Sequence, residues 1–413
     1  MNRYSHQIKK NIYLDNAAAT PLDREIAKQI ARFEQDVYGN ASAIHAPGSK
    51  AKEILEKART MVSTSVFAHS DEIVFTGSGT ESNALAIIGV VRACKIQGIP
   101  HIITSSIEHP AVLENCAYLA SRGEATVTYV PVTREGLVEI KEIKKALHDN
   151  TVLVSIMYAN NEIGTIQPIS EIAKAIRHYK KTRRETDSPP YPLFHTDACQ
   201  AMNYLPTNNI EKLGVDMLSF NSSKIYGPKG VGVLYKKRKV ILEPLYKGGG
   251  QEYGLRSGTE HVSLCMGLAL ALEKTNALKE KEVIRLSALR DSLIKKLMNL
   301  SERQTYHINL NGSLSSRLPN NINISIEGLS SELLVIELDA CGIAVSSKSA
   351  CKSEDPEDSY VIAALRKGGD RVATSTEGSL RISLGRHTTQ KDLNGFIQAL
   401  ENIFIKYAPW KKA

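Results

Sequence analysis

Lys224 follows the apolar run "DMLSF" in the stretch "LSFNSSKIYGPKGVGVLY", after small polar residues and before a Gly-Pro turn. An ammonium at such a strand end either snorkels to solvent or is partly desolvated and used as a nucleophilic amine. "YPLFHTDACQA" ends a second apolar run in Asp197. That carboxylate reads either as a helix N-cap or as a group at the carboxyl edge of an α/β sheet, where ligands bind. A third stretch, "EIVFTGSGTESNALAIIGVV", reads as strand, Gly-Ser-Gly-Thr turn and helix. Such a turn offers Gly79, backbone N–H groups and the Thr80 hydroxyl to an anion, although small-residue turns without a ligand are about as common. Together, a phosphate turn, a carboxylate and a strand-end amine match the needs of pyridoxal 5'-phosphate. The amine condenses with its aldehyde, and the carboxylate keeps its ring nitrogen protonated.

One thiol stands out. "SSKSACKSEDPEDSY" places Cys351 among serines and charges, with no large apolar side chain before Tyr360. A structural cysteine wants apolar neighbours, so this one reads either as a spare surface thiol or as one held out for reaction. Lys348 and Lys352 favour its thiolate, while Glu354 and Asp355 oppose it. The six cysteines show no C-x-x-C pair and no zinc spacing. They are expected as reduced thiols, with no metal site. Cys94, Cys116, Cys199, Cys265 and Cys341 fall in helix or strand patterns and read as packing residues.

The elements that must position these groups are those of an α/β protein. The 413 residues are 42% hydrophobic and 23% charged, an ordinary globular composition. No apolar run reaches membrane-spanning length, and the basic start "MNRYSHQIKK" lacks the apolar core of a secretory signal, so the cytoplasm is expected. The net charge of +8 comes from scattered Lys and Arg without a nucleic-acid motif; neither direct nucleic-acid binding nor a membrane partner is expected. "TPLDREIAKQIARF" predicts a helix with Thr20 as N-cap and Pro21 at its first position. Strands are predicted at "EIVF", "HIITS", "TVTYVPV", "VLVSIMY", "PLFHTD", "DMLSF" and "VGVLY", most of them separated by helical patterns such as "AVLENCAYLA". This gives a large, mainly parallel sheet domain over residues 20–279. The charged helical pattern over 272–300 leads into "NINISI", "SSELLVIELDACG" and "SLRISLG". A smaller α/β domain, residues 280–413 joined by 1–19, is expected there. "KKTRRETDSPPYP" reads as an exposed loop within the larger domain.

In order and spacing, "YLDNAAATP", "FTGSGTES", "IEHPAVLE", "VSIMYANNEIGT", "HTDACQA", "SKIYGPKGVG", "GGGQEYGLRSGT", "SSKSAC" and "SLRISLGR" resemble the cysteine desulfurases, which are pyridoxal-phosphate enzymes of the class V aminotransferase group. The resemblance runs from about residue 12 to 405. It implies the aminotransferase fold type I, with a seven-stranded sheet in the large domain. It also implies roles by position. Lys224 would carry the cofactor and move protons at the substrate Cα. Asp197 would face the ring nitrogen, and His109 would lie over the ring. Asn160 and Gln200 would bond the ring oxygen, with Asn160 also near the substrate. Gly79, Thr80, Asn221 and Ser223 would line the phosphate site. Arg381 would clamp the substrate carboxylate, and Cys351 would take the sulfur as a persulfide. Thr259, with Arg256, would complete the site of a second subunit, implying a homodimer.

One departure is that Ser223 stands where many members carry a histidine before the lysine, and Asn221 where a serine is common. A hydroxyl still donates to phosphate, so changed cofactor affinity is the expected consequence. The implied activity converts L-cysteine to L-alanine, with sulfur passing to an iron–sulfur scaffold or a tRNA-thiolation protein. Selenocysteine lyase or another class V aminotransferase is the alternative enzyme. A sulfur-relay scaffold without catalysis is the alternative outside enzymes, and the intact set Lys224, Asp197, His109 and Arg381 argues against it.

Overall fold

The computed structural model describes residues 12–182, 191–303, 306–347, 359–367 and 379–409. Cys351 and its flanking lysines lie outside the described residues, as do residues 183–190 of the expected exposed loop. The first elements are β1 (Ile12–Tyr13), α1 (Arg24–Asp36), α2 (Ala46–Val66), β2 (Ile73–Thr76), α3 (Gly79–Ala93), β3 (His101–Ser105), α4 (Pro110–Ser121) and β4 (Thr126–Val130). Then come α5 (Ile140–Ala146), β5 (Thr151–Ser155), α6 (Ile169–Thr182), β6 (Leu193–Asp197), α7 (Ile210–Leu213), β7 (Met217–Asn221) and β8 (Gly232–Lys236). The remainder is α8 (Val262–Arg303), β9 (Ile308–Leu310), β10 (Asn321–Ile326), α9 (Ser331–Ala340), β11 (Ile343–Ala344), α10 (Tyr360–Lys367), β12 (Ser379–Ser383) and α11 (Gln390–Tyr407).

All seven strand runs predicted before residue 240 join one sheet, in the order β2-β8-β7-β6-β5-β3-β4. Only β8 runs antiparallel to its neighbours, and the β7-β6, β6-β5, β5-β3 and β3-β4 pairs are parallel. The central strands β3, β5 and β6 are buried along their whole length, so they lack the apolar-polar alternation of a half-exposed strand. Parallel pairing sends every return connection over a face of the sheet as a helix, so the loops after β2, β3, β5, β6 and β7 gather on one edge.

The single helix α8 runs 42 residues and passes unbroken through position 279. Beyond it, β12, β10 and β9 form an antiparallel sheet, and β1 pairs in parallel with β11, tying the start of the chain to its last third. The Asp15 bridge to Ser383 extends this tie onto β12.

One predicted cap is corrected. Asp23, not Thr20, caps α1, accepting from the Glu25 and Ile26 N–H groups. The Thr20 hydroxyl is committed elsewhere: it donates to the Ser223 carbonyl at 3.0 Å and accepts the Tyr226 N–H at 2.7 Å. A tertiary contact to the lysine turn thus overrides a good local capping pattern. Among the described residues no helix is long and apolar enough to cross a membrane, and no cluster of His, Cys, Asp or Glu could hold a metal ion.

Candidate active site

A cavity of about 200 Å³ opens at the carboxyl edge of the large sheet. Each strand end delivers one of its groups. After β2 the chain turns into α3, whose first residues Gly79 and Thr80 line the cavity. As the opening turn of a 15-residue helix they present N–H groups without intrahelical acceptors, next to the positive end of the helix dipole. Gly79 is required by close approach, because a Cβ there would lie 2.8 Å from Cys199 Sγ and 3.1 Å from Asn221 Nδ2. Glu81 orders the turn: its carboxylate accepts the Gly77 N–H at 2.6 Å and pairs with Arg256 Nε at 3.0 Å.

After β3, His109 caps α4, with Pro110 at the first helical position. Its Nδ1 accepts the Ala111 N–H at 3.1 Å, so the neutral ring carries its proton on Nε2. Burial pushes His109 below its ordinary range; the Asp197 carboxylate opposes this, and the Lys224 and Arg381 cations reinforce it. The ring therefore stays neutral where an exposed histidine would begin to charge.

Asp197 ends β6, buried, and its oxygens are aligned from within the protein. Asn83 Nδ2 donates to Oδ2 at 2.6 Å, and the Cys199 N–H donates to Oδ1 at 2.9 Å. Lys224 follows β7. Its Nζ donates to the Ala17 carbonyl at 2.9 Å and to the Ala18 carbonyl, both from the segment after β1. Gln200 Nε2 reaches the same Ala17 carbonyl at 3.0 Å. The segment "DNAAAT" is thus a wall of the cavity, placed by its backbone. It is held in turn by Ser383, which accepts the Ala17 N–H on Oγ at 2.9 Å and the Asn16 amide on its carbonyl at 2.9 Å.

Arg381, on β12, lines the same cavity while 1% exposed. Nη2 pairs with Asp15 at 2.8 Å and Nη1 donates to the Asn161 carbonyl at 3.1 Å. Nε has no acceptor among the described residues. A buried guanidinium with one open donor, fixed by two others, is oriented to receive a carboxylate.

The structure thus brings together Gly79, Thr80, His109, Asp197, Gln200, Asn221, Lys224 and Arg381. Asn160 is not among the cavity residues. Its amide is spent on its own turn, accepting from Glu162 and Ile163 and donating to Ile107, while the next residue, Asn161, lines the wall. Ser223 meets Thr20 through its carbonyl, and Thr259 is exposed and not part of this cavity wall.

Sequence reasoning missed Asn83, Asn161 and the Ala17–Ala18 carbonyls. It also misread two cysteines as packing residues. Cys199 lines the cavity, where burial and then the Asp197 charge push its thiol well above its ordinary value. Cys341 is exposed just after α9.

The chain is similar to known proteins over nearly its whole length. Residues 12–396 match the family model described as aminotransferase class-V. The chain is 42% identical over 408 residues to "Cysteine desulfurase IscS" of Dictyoglomus turgidum, covering 98% of both chains. Among solved structures, a "NifS-like protein" superposes with a TM-score of 0.84 at 34% identity, over 95% of this chain and 99% of the other. "SspA in complex with cysteine" superposes with a TM-score of 0.74 at 31% identity, over 92% and 100%.

Proposed function

Because this chain belongs to the aminotransferase class-V family, and within it to the cysteine desulfurases, we propose that it removes sulfur from L-cysteine. Alanine is released and the sulfur remains as a persulfide on Cys351. The observation that carries this reading is the convergence of an amine, a buried carboxylate, a neutral imidazole and an oriented guanidinium on one cavity, those of Lys224, Asp197, His109 and Arg381.

The cavity suits pyridoxal 5'-phosphate. Gly79 is kept free of a side chain at a helix N-terminus, and the buried Asn83 Oδ1, Asn221 Oδ1 and Arg381 Nε have no partners among the described residues. Gly79, Thr80, Asn221 and Ser223 would hold its phosphate, with Thr259 supplied by the second subunit of a homodimer. Gln200 and Asn160 or Asn161 would bond its ring oxygen. When bound, the cofactor supplies an electron sink for the electrons left at the substrate Cα.

The chain's own groups do the rest. Asp197, aligned by Asn83 and the Cys199 N–H, holds a proton on the ring nitrogen. Lys224 anchors the cofactor, yields it to the substrate amine and then moves protons at Cα. His109, neutral with its proton on Nε2, acts as acid or base over the ring. Arg381 grips the substrate carboxylate, and Asp15 fixes the fork's direction. Cys351 thiolate attacks the substrate Sγ, one S–S bond forms as the Cβ–Sγ bond breaks, and the carbon product takes protons to leave as alanine. The persulfide then passes its sulfur to an acceptor, an iron–sulfur scaffold or a tRNA-thiolation protein, in the cytoplasm. In this reading residues 20–279 form the cofactor domain, and 280–413 with 1–19 form the domain that brings Arg381 and Cys351.

The test is alanine formed from L-cysteine by the cofactor-loaded protein with a thiol reductant, beside Cys351→Ala. Alanine from wild type with little or none from the variant is expected. Wild-type turnover in the variant would overturn the role of Cys351, and no alanine from either would overturn the substrate.

A further inference from the structure

A second cleft, of about 10 Å³, adjoins the Lys224 turn and is lined by Asn203, Tyr226, Thr275, Lys279, Glu282 and Arg386. Its charges do not balance locally. Arg386 lies with Cζ 4.0 Å from the Tyr226 ring centroid, and its Nη2 donates to Thr275 Oγ1 at 2.8 Å. Its Nη1 is buried with no acceptor among the described residues. Lys279 Nζ meets only neutral oxygens in its hydrogen bonds, the Leu205 carbonyl at 3.0 Å and Thr207 Oγ1 at 3.1 Å.

Two carboxylates lie near Arg386, and both are engaged. Glu282 is held by Arg285 at 3.1 and 2.8 Å, and Asp23 by Lys274 at 2.6 Å. Burial pulls Arg386 below its usual value and Lys279 down to about 8, which is what desolvated cations show when carboxylate compensation falls short. A desolvated cation with an open donor is stabilised by a counter-ion. Space of this size admits a single water-sized occupant, which excludes phosphate and organic acids.

We propose that this cleft binds one small monatomic anion, of the halide class, between the Arg386 guanidinium and Lys279, and that the anion braces the turn carrying Lys224. The bracing runs through two cleft residues. Asn203 donates its amide to the Lys224 carbonyl. Tyr226 holds a left-handed φ of 63°, a conformation a tyrosine keeps only when its surroundings enforce it. Its hydroxyl accepts the Arg386 N–H at 2.7 Å.

The test uses the full-length, cofactor-loaded protein prepared without chloride. Crystals grown in sodium bromide should show an anomalous peak between Arg386 and Lys279 that is absent from Arg386→Met. Replacing gluconate by bromide at constant ionic strength should raise the wild-type Tm by about 2–4 °C and leave the variant unmoved. Should Arg386→Met fail to fold, Lys279→Met is read by the same two quantities. Three outcomes overturn the proposal: no anomalous signal, an equal Tm response in both proteins, or a peak without a Tm response, which is an adventitious ion only.

Discussion

Arg59 and Glu252 form a buried two-point ion pair, with Nη1–Oε2 at 2.8 Å and Nη2–Oε1 at 2.7 Å. Glu252 also accepts the Phe75 N–H at 2.8 Å, so α2, β2 and the "GGGQEYGLRSGT" loop meet at one carboxylate. Glu252 and Tyr253 sit at φ of 48° and 60°, unfavourable for non-glycine residues, and the pair holds that conformation. Four residues on, Arg256 engages Glu81 of the phosphate turn. Breaking a buried pair leaves a charge uncompensated, which costs about 3–5 kcal/mol. Glu252→Gln is therefore expected to lower the urea midpoint and to weaken cofactor retention on dialysis. A variant with wild-type stability and retention would show the pair to be idle.

Asn83 Nδ2 donates to the Asp197 carboxylate at 2.6 Å. A hydrogen bond to a charged group contributes about 1.5–3 kcal/mol, so Asn83→Ala should weaken cofactor binding about tenfold or more. Its absorbance spectrum should shift as the ring nitrogen loses its proton more readily. Titration of the apoprotein followed by absorbance reads both effects. An unchanged affinity and spectrum would mean that the Cys199 N–H alone suffices to align the carboxylate.

Arg381 allows substrate binding to be separated from chemistry. A lysine keeps the charge and loses the planar fork, so Arg381→Lys should raise KM for L-cysteine about 10-fold or more with a smaller fall in kcat. It would also leave the Asn161 carbonyl and Asp15 competing for one ammonium. A fall in kcat alone, with KM unchanged, would place Arg381 outside substrate recognition.

Much of this site was legible because its groups sit where a pattern changes. Asp197 ends a buried strand and Lys224 follows another, each where a run that opens apolar turns polar at its carboxyl end. What stayed hidden has a common physical form. Ala17 and Ala18 act through backbone carbonyls, which no side-chain type reveals. Thr20 obeyed a capping pattern until a residue two hundred positions away claimed its hydroxyl. The neighbours Asn160 and Asn161 differ only in which way a turn points each amide, and that is decided by Ile107, Glu162 and Ile163. Cys199 looked like core because its neighbours in sequence are core, yet the opening residue of α3 approaches it across the cavity.

His195 provides a pH signature independent of catalysis. It is fully buried on β6, two residues before Asp197, with Ser155 Oγ on Nδ1 and Ser219 Oγ on Nε2, each at 2.9 Å. Burial lowers its pKa from 6.5 to about 4, against the opposing pull of the Asp197 charge. The folded value lies below the unfolded one, so between them the unfolded chain binds a proton that the native chain does not. The stability this group contributes is complete above about pH 6.5 and declines as pH falls toward about 4, by up to about 1.4 kcal/mol per pH unit. Glu108, raised by burial from 4.5 to about 8, acts in the opposite sense, losing stability as pH rises through that interval. Wild-type stability alone therefore mixes the two, and the difference between wild type and His195→Gln isolates the histidine. Urea unfolding at pH 7 and pH 5 should show the variant less stable at pH 7 and the gap narrowing by about 1 to 2 kcal/mol at pH 5. A gap that stays constant would mean that His195 titrates in the native protein as it does in the unfolded chain, the burial being offset by its two serines and the nearby aspartate.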